Sequence, residues 1–342
     1  MSCTMGRRTR QGLAGLALSG LISSGVMLGG APAYAEASEL RIAYQQSMAF
    51  LVVDVVVARK LVESRAEAAG LGNIKVSTVR FSSGPAANDA LLKGDVEIGG
   101  AGITPFLELW QRTRGAENVR AVAPINDSPL YLITTDPRLS KLEDYGGADK
   151  VAVPAPGSIQ GLFLRMLSDR TFGAPGRLDG TMTSMTSPEA LKALADPASG
   201  VRSYVGSIPF NLAAMALPGT RELSNSYAVL GPHNLVALFT TEKFQRENPK
   251  LAAVVTAAID DAMAFIKAYP EETAAIFSAA TKGAISAEQV KEILARKDVA
   301  YSSVPRGTMA LAAFLQKIGL LKSLPVDWRD FYWPGVHGKD GS

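Results

Sequence analysis

The chain has 342 residues, 47% apolar and 20% charged, with 32 Gly, 19 Pro, two His and one Cys. This composition excludes a disordered chain, a coiled coil and a disulfide-stapled scaffold. The length suffices for about two domains, each with its own core.

Residues 1–35 read as a secretory signal. Arg7, Arg8 and Arg10 form a positive start, residues 13–28 are apolar with Gly and Ser interruptions, and Ala33-Tyr34-Ala35 fits a small-x-small cleavage site. Cleavage after Ala35 removes three Arg and no acid, so the 35 Lys+Arg become 32, against 32 Asp+Glu. The pI near 8.9 therefore owes much to the removed segment. The remaining balance gives no reason to expect nucleic acid or an anionic membrane as partner. Cys3 leaves with the segment, so no disulfide, thiolate ligand or Cys nucleophile is expected, and Cys3 lies too far ahead of the cleavage site to carry a lipid anchor. Arg7-Arg8 opens the twin-arginine export route beside the general secretory one, although Arg10 and Gln11 stand where apolar residues are usual. A retained membrane helix at 13–28 would be too short and too rich in Gly and Ser to span well.

From residue 40 onward short β-rich runs alternate with longer helical ones, the order of parallel sheets covered by helices. The pattern predicts strands at 40–44, 74–81, 96–99 and 119–125, separated by helices at about 48–69, 84–92 and 103–114. Turns rich in Gln, Ser, Gly, Thr and Pro follow the strands, where open α/β sheets place ligands. A second set predicts strands at 130–134, 151–153, near 181 and at 201–205, with helices at 158–172 and 188–194. Residues 235–240 read as a strand returning to the first set, so the chain is expected to cross twice between two lobes. After residue 241 the sequence is helical. Leu251, Val254, Ala258, Ala262, Phe265 and Tyr269 recur at spacings of three and four, and Ser286-Ala287-Glu288-Gln289 resembles a capping box.

Residues suited to catalysis are scarce, and no metal-ligand spacing is present. His233, between Pro232 and Asn234, reads as a hinge or surface residue, and His337 sits in a polar terminus. Adjacent Asp260 and Asp261 diverge by about 100° on a helix and cannot face one another as an acid/base pair. The turn Gly99-Gly100-Ala101-Gly102 matches neither the P-loop nor the dinucleotide fingerprint. The helix starts after strands, at Ser82-Ser83-Gly84, Gly102-Ile103-Thr104, Gly157-Ser158 and Gly206-Ser207, offer unsatisfied N–H groups and partial positive charge. Each alone is explained by N-capping. Together, in two lobes, they suggest a cleft that captures a small solute.

Several runs resemble one family: residues 41–45, 80–84 and 90–99 (Ala-Leu-Leu-Lys-Gly-Asp-Val-Glu-Ile-Gly within the last), 102–105, 240–244 with Glu247-Asn248-Pro249, and 314–319 followed by Trp328. The family is the nitrate/sulfonate/taurine group of ABC-transporter substrate-binding proteins, and the likeness spreads over nearly all of the chain after residue 35. It implies an α/β protein with the type II periplasmic-binding-protein fold, its two lobes joined by two crossover segments: 36–128 with 229–342, and 129–228. It also implies a periplasmic, monomeric, non-enzymatic protein without cofactor or metal, which delivers a solute to an inner-membrane permease and its ATPase. Carried over by position, the ligand contacts are Gln45, Gln46, Ser47, Ser82, Ser83, Gly102, Ile103 and Thr104, with Asn126 by the first crossover. Ser158, Gln160, Met185, Ser207 and Phe210 come from the second lobe, and Met48 is a further apolar candidate. The solute could be a sulfonate, nitrate or carboxylate, or an uncharged aromatic. A solute sensor for a membrane receptor is the alternative. A thiamine-pyrimidine-type enzyme is disfavoured, because the expected mature chain has no Cys.

Overall fold

The computed structural model describes residues 36–342, which belong to one compact unit. The signal segment expected at 1–35 lies outside the described residues. Ten strands form two arrays. The first contains β1 (Glu39–Tyr44), β2 (Lys75–Arg80), β3 (Gly99–Gly102), β4 (Arg120–Asp127) and β10 (Asn234–Thr240). The second contains β5 (Tyr131–Thr134), β6 (Val151–Val153), β7 (Met182–Ser184), β8 (Ser203–Gly206) and β9 (Arg221–Asn225).

In the first array β1 pairs parallel with β2, and β10 lies between β3 and β4, antiparallel to both. A bridge at Ile42 and Ile98, where Ala43 N–H donates to the Ile98 carbonyl at 2.8 Å, joins the two pieces. The resulting order is β2-β1-β3-β10-β4. The second array is a five-stranded sheet ordered β7-β6-β8-β5-β9. The two orders are equivalent: the strand that arrives from the other array lies between that array's third and fourth strands. β5 and β10 are these arriving strands, and both run antiparallel to their neighbours. The wholly parallel sheets expected from the βα alternation are thus mixed sheets, because a strand entering across a hinge lacks the helical crossover that would align it with the rest.

β10 is buried along its whole length and β4 at all but its first residue. They read as continuous apolar runs, not alternating ones, because helices cover both faces. Pro124 is tolerated in β4 because the pairing slips between Val236 and Ala237, which face Asn126 and Pro124. The Gly99–Gly102 segment, expected as a strand end and turn, is itself strand β3, fully buried. An added Cβ at Gly99 would lie 2.3 Å from the Phe239 ring, and one at Gly100 would lie 2.6 Å from the Ala43 carbonyl oxygen. Glycine is present here so that neighbouring strands can approach.

The helical stretch expected at about 48–69 divides at Lys60, whose φ of 51° ends one helix (Leu51–Ala58) and begins the next (Leu61–Ala68). The helix Pro249–Ala268 buries Leu251, Val254, Ala258 and Ala262 as expected. Its stripe ends sooner than predicted: Phe265 is half-buried and Tyr269 is 51% exposed, its ring tilted against that of Phe265 with centroids 5.0 Å apart. Asp261 pairs with Arg65, and Asp260 accepts from Ser303 and Lys339, on separate faces.

Buried polar groups fill the crossings between the arrays. Asn234 donates to Asp127 and to the Val304 carbonyl, and Arg306 pairs with Asp127. Leu130 N–H donates to Ser226 Oγ at 2.9 Å. His233 is buried, with Nδ1 donating to the Asn234 carbonyl at 3.0 Å, which leaves Nε2 to accept from Ser226 Oγ at 2.8 Å. Burial lowers the proton affinity of its ring.

Candidate functional site

A cavity of about 200 Å³ opens between the arrays at the carboxyl ends of their parallel strands. The first array contributes Gln45, Gln46 and Ser47 after β1, Phe81 and Ser82 after β2, and Gly102 at the end of β3. The second contributes Pro154, Ser158 and Gln160 after β6, Thr186 and Ser187 after β7, and Ser207 after β8. A βαβ unit places the start of each helix beside the end of the strand before it, so four helix N-termini reach the cavity. They belong to the helices Gly84–Lys93, Ile103–Arg112, Ile159–Phe172 and Ser187–Ala195. Local sequence fixes three of the starts: Ser83, Ser158 and Thr186 accept from backbone N–H groups three residues on, and Glu189 returns the bond to Thr186 in a capping box, whereas Gly102 precedes the fourth helix without a side-chain cap.

The lining is polar without being acidic. It holds hydroxyls, carboxamides and one guanidinium, Arg80, and among the described residues no Asp or Glu lines it. Phe50, Phe81, Ile159 and Leu235 supply an apolar wall. Gln160 is 8% and Ser207 4% exposed, and neither side chain bonds to another described residue. Buried groups of this kind require a partner, here solvent or solute. The arrays meet around the cavity, where Ser47 Oγ donates to the Ile208 carbonyl at 2.8 Å and Ile159 packs on Gly102.

The structure thus brings together Gln45, Gln46, Ser47, Ser82, Gly102, Ser158, Gln160 and Ser207 of the expected contacts. The others lie outside the lining. Ser83 is occupied in capping its helix, and Ile103 and Thr104, the first two residues of theirs, are buried. Asn126 donates to the Ala300 carbonyl and accepts from Ser128 at the first crossing. Phe210 belongs to the second array's apolar cluster with Met185 packed against it, and Met48 is fully buried.

No family model matches the sequence, and no curated protein does either. Solved structures match over most of the chain. The alkanesulfonate-binding protein SsuA of Xanthomonas axonopodis pv. citri, solved with MOPS, is 19% identical, with 84% of this chain and 95% of that chain covered at a TM-score of 0.67. The periplasmic nitrate-binding protein NrtA of Synechocystis PCC 6803 is 14% identical, with 86% and 84% covered at 0.67. A Candida albicans protein described as having the generic periplasmic binding protein fold is 14% identical, with 84% and 92% covered at 0.62. The chain has the periplasmic binding protein fold. At these identities the likeness is one of architecture, and it agrees with the fold expected from the sequence.

Within this fold a residue that sequence reasoning did not assign to the site is Arg80, the last residue of β2, which opens the run 80–84 but is not among the contacts expected there. Its Nε donates to Tyr44 Oη at 3.1 Å and its Nη2 to the Ala280 carbonyl at 2.9 Å. Thr186 and Pro188 were legible as a helix start but not as part of a site, since β7 before them has only three residues. The only signal for Arg80 is its position, a cation at the carboxyl end of a strand next to Ser82-Ser83-Gly84.

Proposed function

We propose that the protein is the extracytoplasmic solute-binding component of an ABC importer, holding a small organic or inorganic anion between two lobes and delivering it to a membrane permease and its ATPase. The lobes are residues 36–128 with 229–342, and 129–228. The observation that carries the reading is the lining of the interarray cavity: four helix N-termini and Arg80 face a space that no carboxylate of the described residues lines. Each helix start contributes about half a positive charge, so the cavity favours a single anionic group with a short apolar body against Phe50 and Phe81. The similar solved structures, an alkanesulfonate-binding and a nitrate-binding protein, support the same class. No His, Cys, Asp or Glu among the described residues lines the cavity, which supports release of the solute chemically unchanged. Export to the periplasm rests on the segment 1–35.

A thermal-shift panel tests this, with nitrate, ethanesulfonate, taurine and benzoate set against glucose and ethylammonium. An anion at 100 times its Kd stabilises the protein by about 2.7 kcal/mol. Stabilisation by the neutral or cationic compounds alone would refute the anion assignment.

A further inference from the structure

Solute capture through helix starts and Arg80 leaves one buried group beside the cavity without a task. Asp54, on the helix Leu51–Ala58, is 8% exposed, and its one hydrogen bond among the described residues comes from Tyr44 Oη, at 2.8 Å. The same phenol oxygen accepts from Arg80 Nε at 3.1 Å, and the guanidinium lies 5.5 Å from the Tyr44 ring centroid. Asp54, Tyr44 and Arg80 therefore form a chain from a buried carboxyl to the wall of the cavity. We propose that this chain is a proton-linked anion clamp: an anionic solute binds at Arg80 more tightly when Asp54 is protonated, and binding draws a proton onto Asp54. The inference rests on the anion reading above and adds a regulation of the same site.

The guanidinium has five N–H donors. One is given to Tyr44 and one to the Ala280 carbonyl, so three are free of protein partners among the described residues. An oxyanion at those donors and an ionised Asp54 compete for one positive charge, whereas a protonated Asp54 leaves that charge to the solute. Linkage makes the effect reciprocal. The surroundings single out Asp54 as the responding group. On the helices Pro249–Ala268 and Pro270–Ala280, which pack on its own helix, Asp261 pairs with Arg65, Asp260 with Lys339 and Glu271 with Lys291, Glu272 lies 3.9 Å from Arg59, and Lys250 and Lys267 are exposed. On the same helix as Asp54, Arg59 is exposed; Tyr301 gives its hydroxyl to the Met48 carbonyl. On the helix Leu61–Ala68, which also packs on the Asp54 helix, Glu63 is half-buried with one oxygen that has no hydrogen-bond partner, Arg65 and Glu67 are exposed, and none of the three bonds to Asp54. Its polar partners among the described residues are therefore Tyr44 and, through it, Arg80. Burial, opposed in part by those two, pushes the Asp54 carboxyl up to about 6, within the range of ordinary assays.

Isothermal titration calorimetry with nitrate and ethanesulfonate, both fully ionised throughout, between about pH 5 and about pH 7.5 tests the clamp. The Kd of the wild-type protein should tighten at least about fivefold toward acid. Near pH 6, titrations in buffers of different ionisation enthalpy should report proton uptake. Asp54→Asn should bind at the alkaline end as tightly as wild type does at the acid end, with no remaining slope. A flat wild-type Kd, absence of proton uptake, or a slope that persists in Asp54→Asn overturns the clamp and leaves the anion reading standing. Failure of both probes to bind at any pH refutes the clamp, and if the panel above is also silent for every anion, the anion reading falls with it.

Discussion

Gly102→Ala tests, separately from folding, whether the two arrays close on a solute as proposed. Gly102 ends β3 in extended backbone (φ −56°, ψ 153°) that any residue adopts, so alanine meets no strain there. A Cβ at this point would lie 2.9 Å from Ile159 Cγ2 and 3.1 Å from Ile159 Cβ, and no atom of the first array comes closer. Ile159 opens a helix of the second array, so the clash exists only while the arrays are together. Overpacking of this size costs about 1–3 kcal/mol. If that cost falls on the closed state alone, solute affinity weakens by about 5- to 150-fold while the stability of the free protein changes by less than about 0.5 kcal/mol. Calorimetric titration with the tightest anion of the panel, beside denaturant unfolding of the free protein, measures both. Small-angle scattering should show that the solute no longer compacts the variant. Ile159→Ala in the Gly102→Ala background removes Cγ2 and should recover most of the affinity, a non-additivity that identifies the contact. Wild-type affinity in Gly102→Ala, or equal losses of affinity and stability, would refute the idea that this contact forms on closure.

Gly100→Ala should behave oppositely. Its Cβ would sit 2.6 Å from the backbone oxygen of Ala43, which cannot move aside, so a loss of about 3 kcal/mol in folding stability is expected from denaturant titration. Asn234→Ala removes donors to Asp127 and to the Val304 carbonyl inside the buried crossing, and should cost about 2 kcal/mol by the same measurement. Asp54→Asn should stabilise the free protein at pH 7.5. The folded carboxyl, raised to about 6 from 3.8, binds its proton more tightly than the unfolded one, so its ionisation opposes folding above pH 6 by on the order of 3 kcal/mol. That penalty fades as pH falls from 6 toward 3.8, and the curves of variant and wild type should converge near pH 4. A variant less stable than wild type at pH 7.5 would contradict the burial argument.

What the sequence disclosed follows from the range of the interactions involved. Helix starts are local events, so Ser83, Ser158 and Ser286 are legible at helix starts and are caps, whereas the start expected at Gly206-Ser207 falls later, at Phe210. Strand ends are also local, and eight of the contacts that the resemblance carried over to strand ends and helix starts meet in one cavity. The misreadings concern partners far along the chain. Gly99 looked like a turn because the Phe239 ring that excludes a side chain there is 140 positions away. β10 looked parallel because its direction is set by a hinge built from Asp127, Asn234 and Arg306, which no single window of sequence contains. Arg80 escaped notice because a cation ending a half-exposed strand is ordinary surface until Tyr44 and Ala280 are seen to hold it against the cavity.

The division of labour in the site follows from the same topology. Four of the parallel strands, two in each array, deliver a helix start to the shared edge, so partial positive charge accumulates between the arrays whatever the side chains are. Such a field attracts small anions as a class and distinguishes poorly among them, because backbone N–H groups accommodate a planar or a tetrahedral oxyanion alike. Discrimination therefore falls to groups that topology does not supply: the Arg80 fork held by Tyr44, the buried amide of Gln160 and hydroxyl of Ser207, and the aromatic wall of Phe50 and Phe81. Substitutions at these positions should reorder the preference among anions, whereas substitutions in the caps should weaken all of them together.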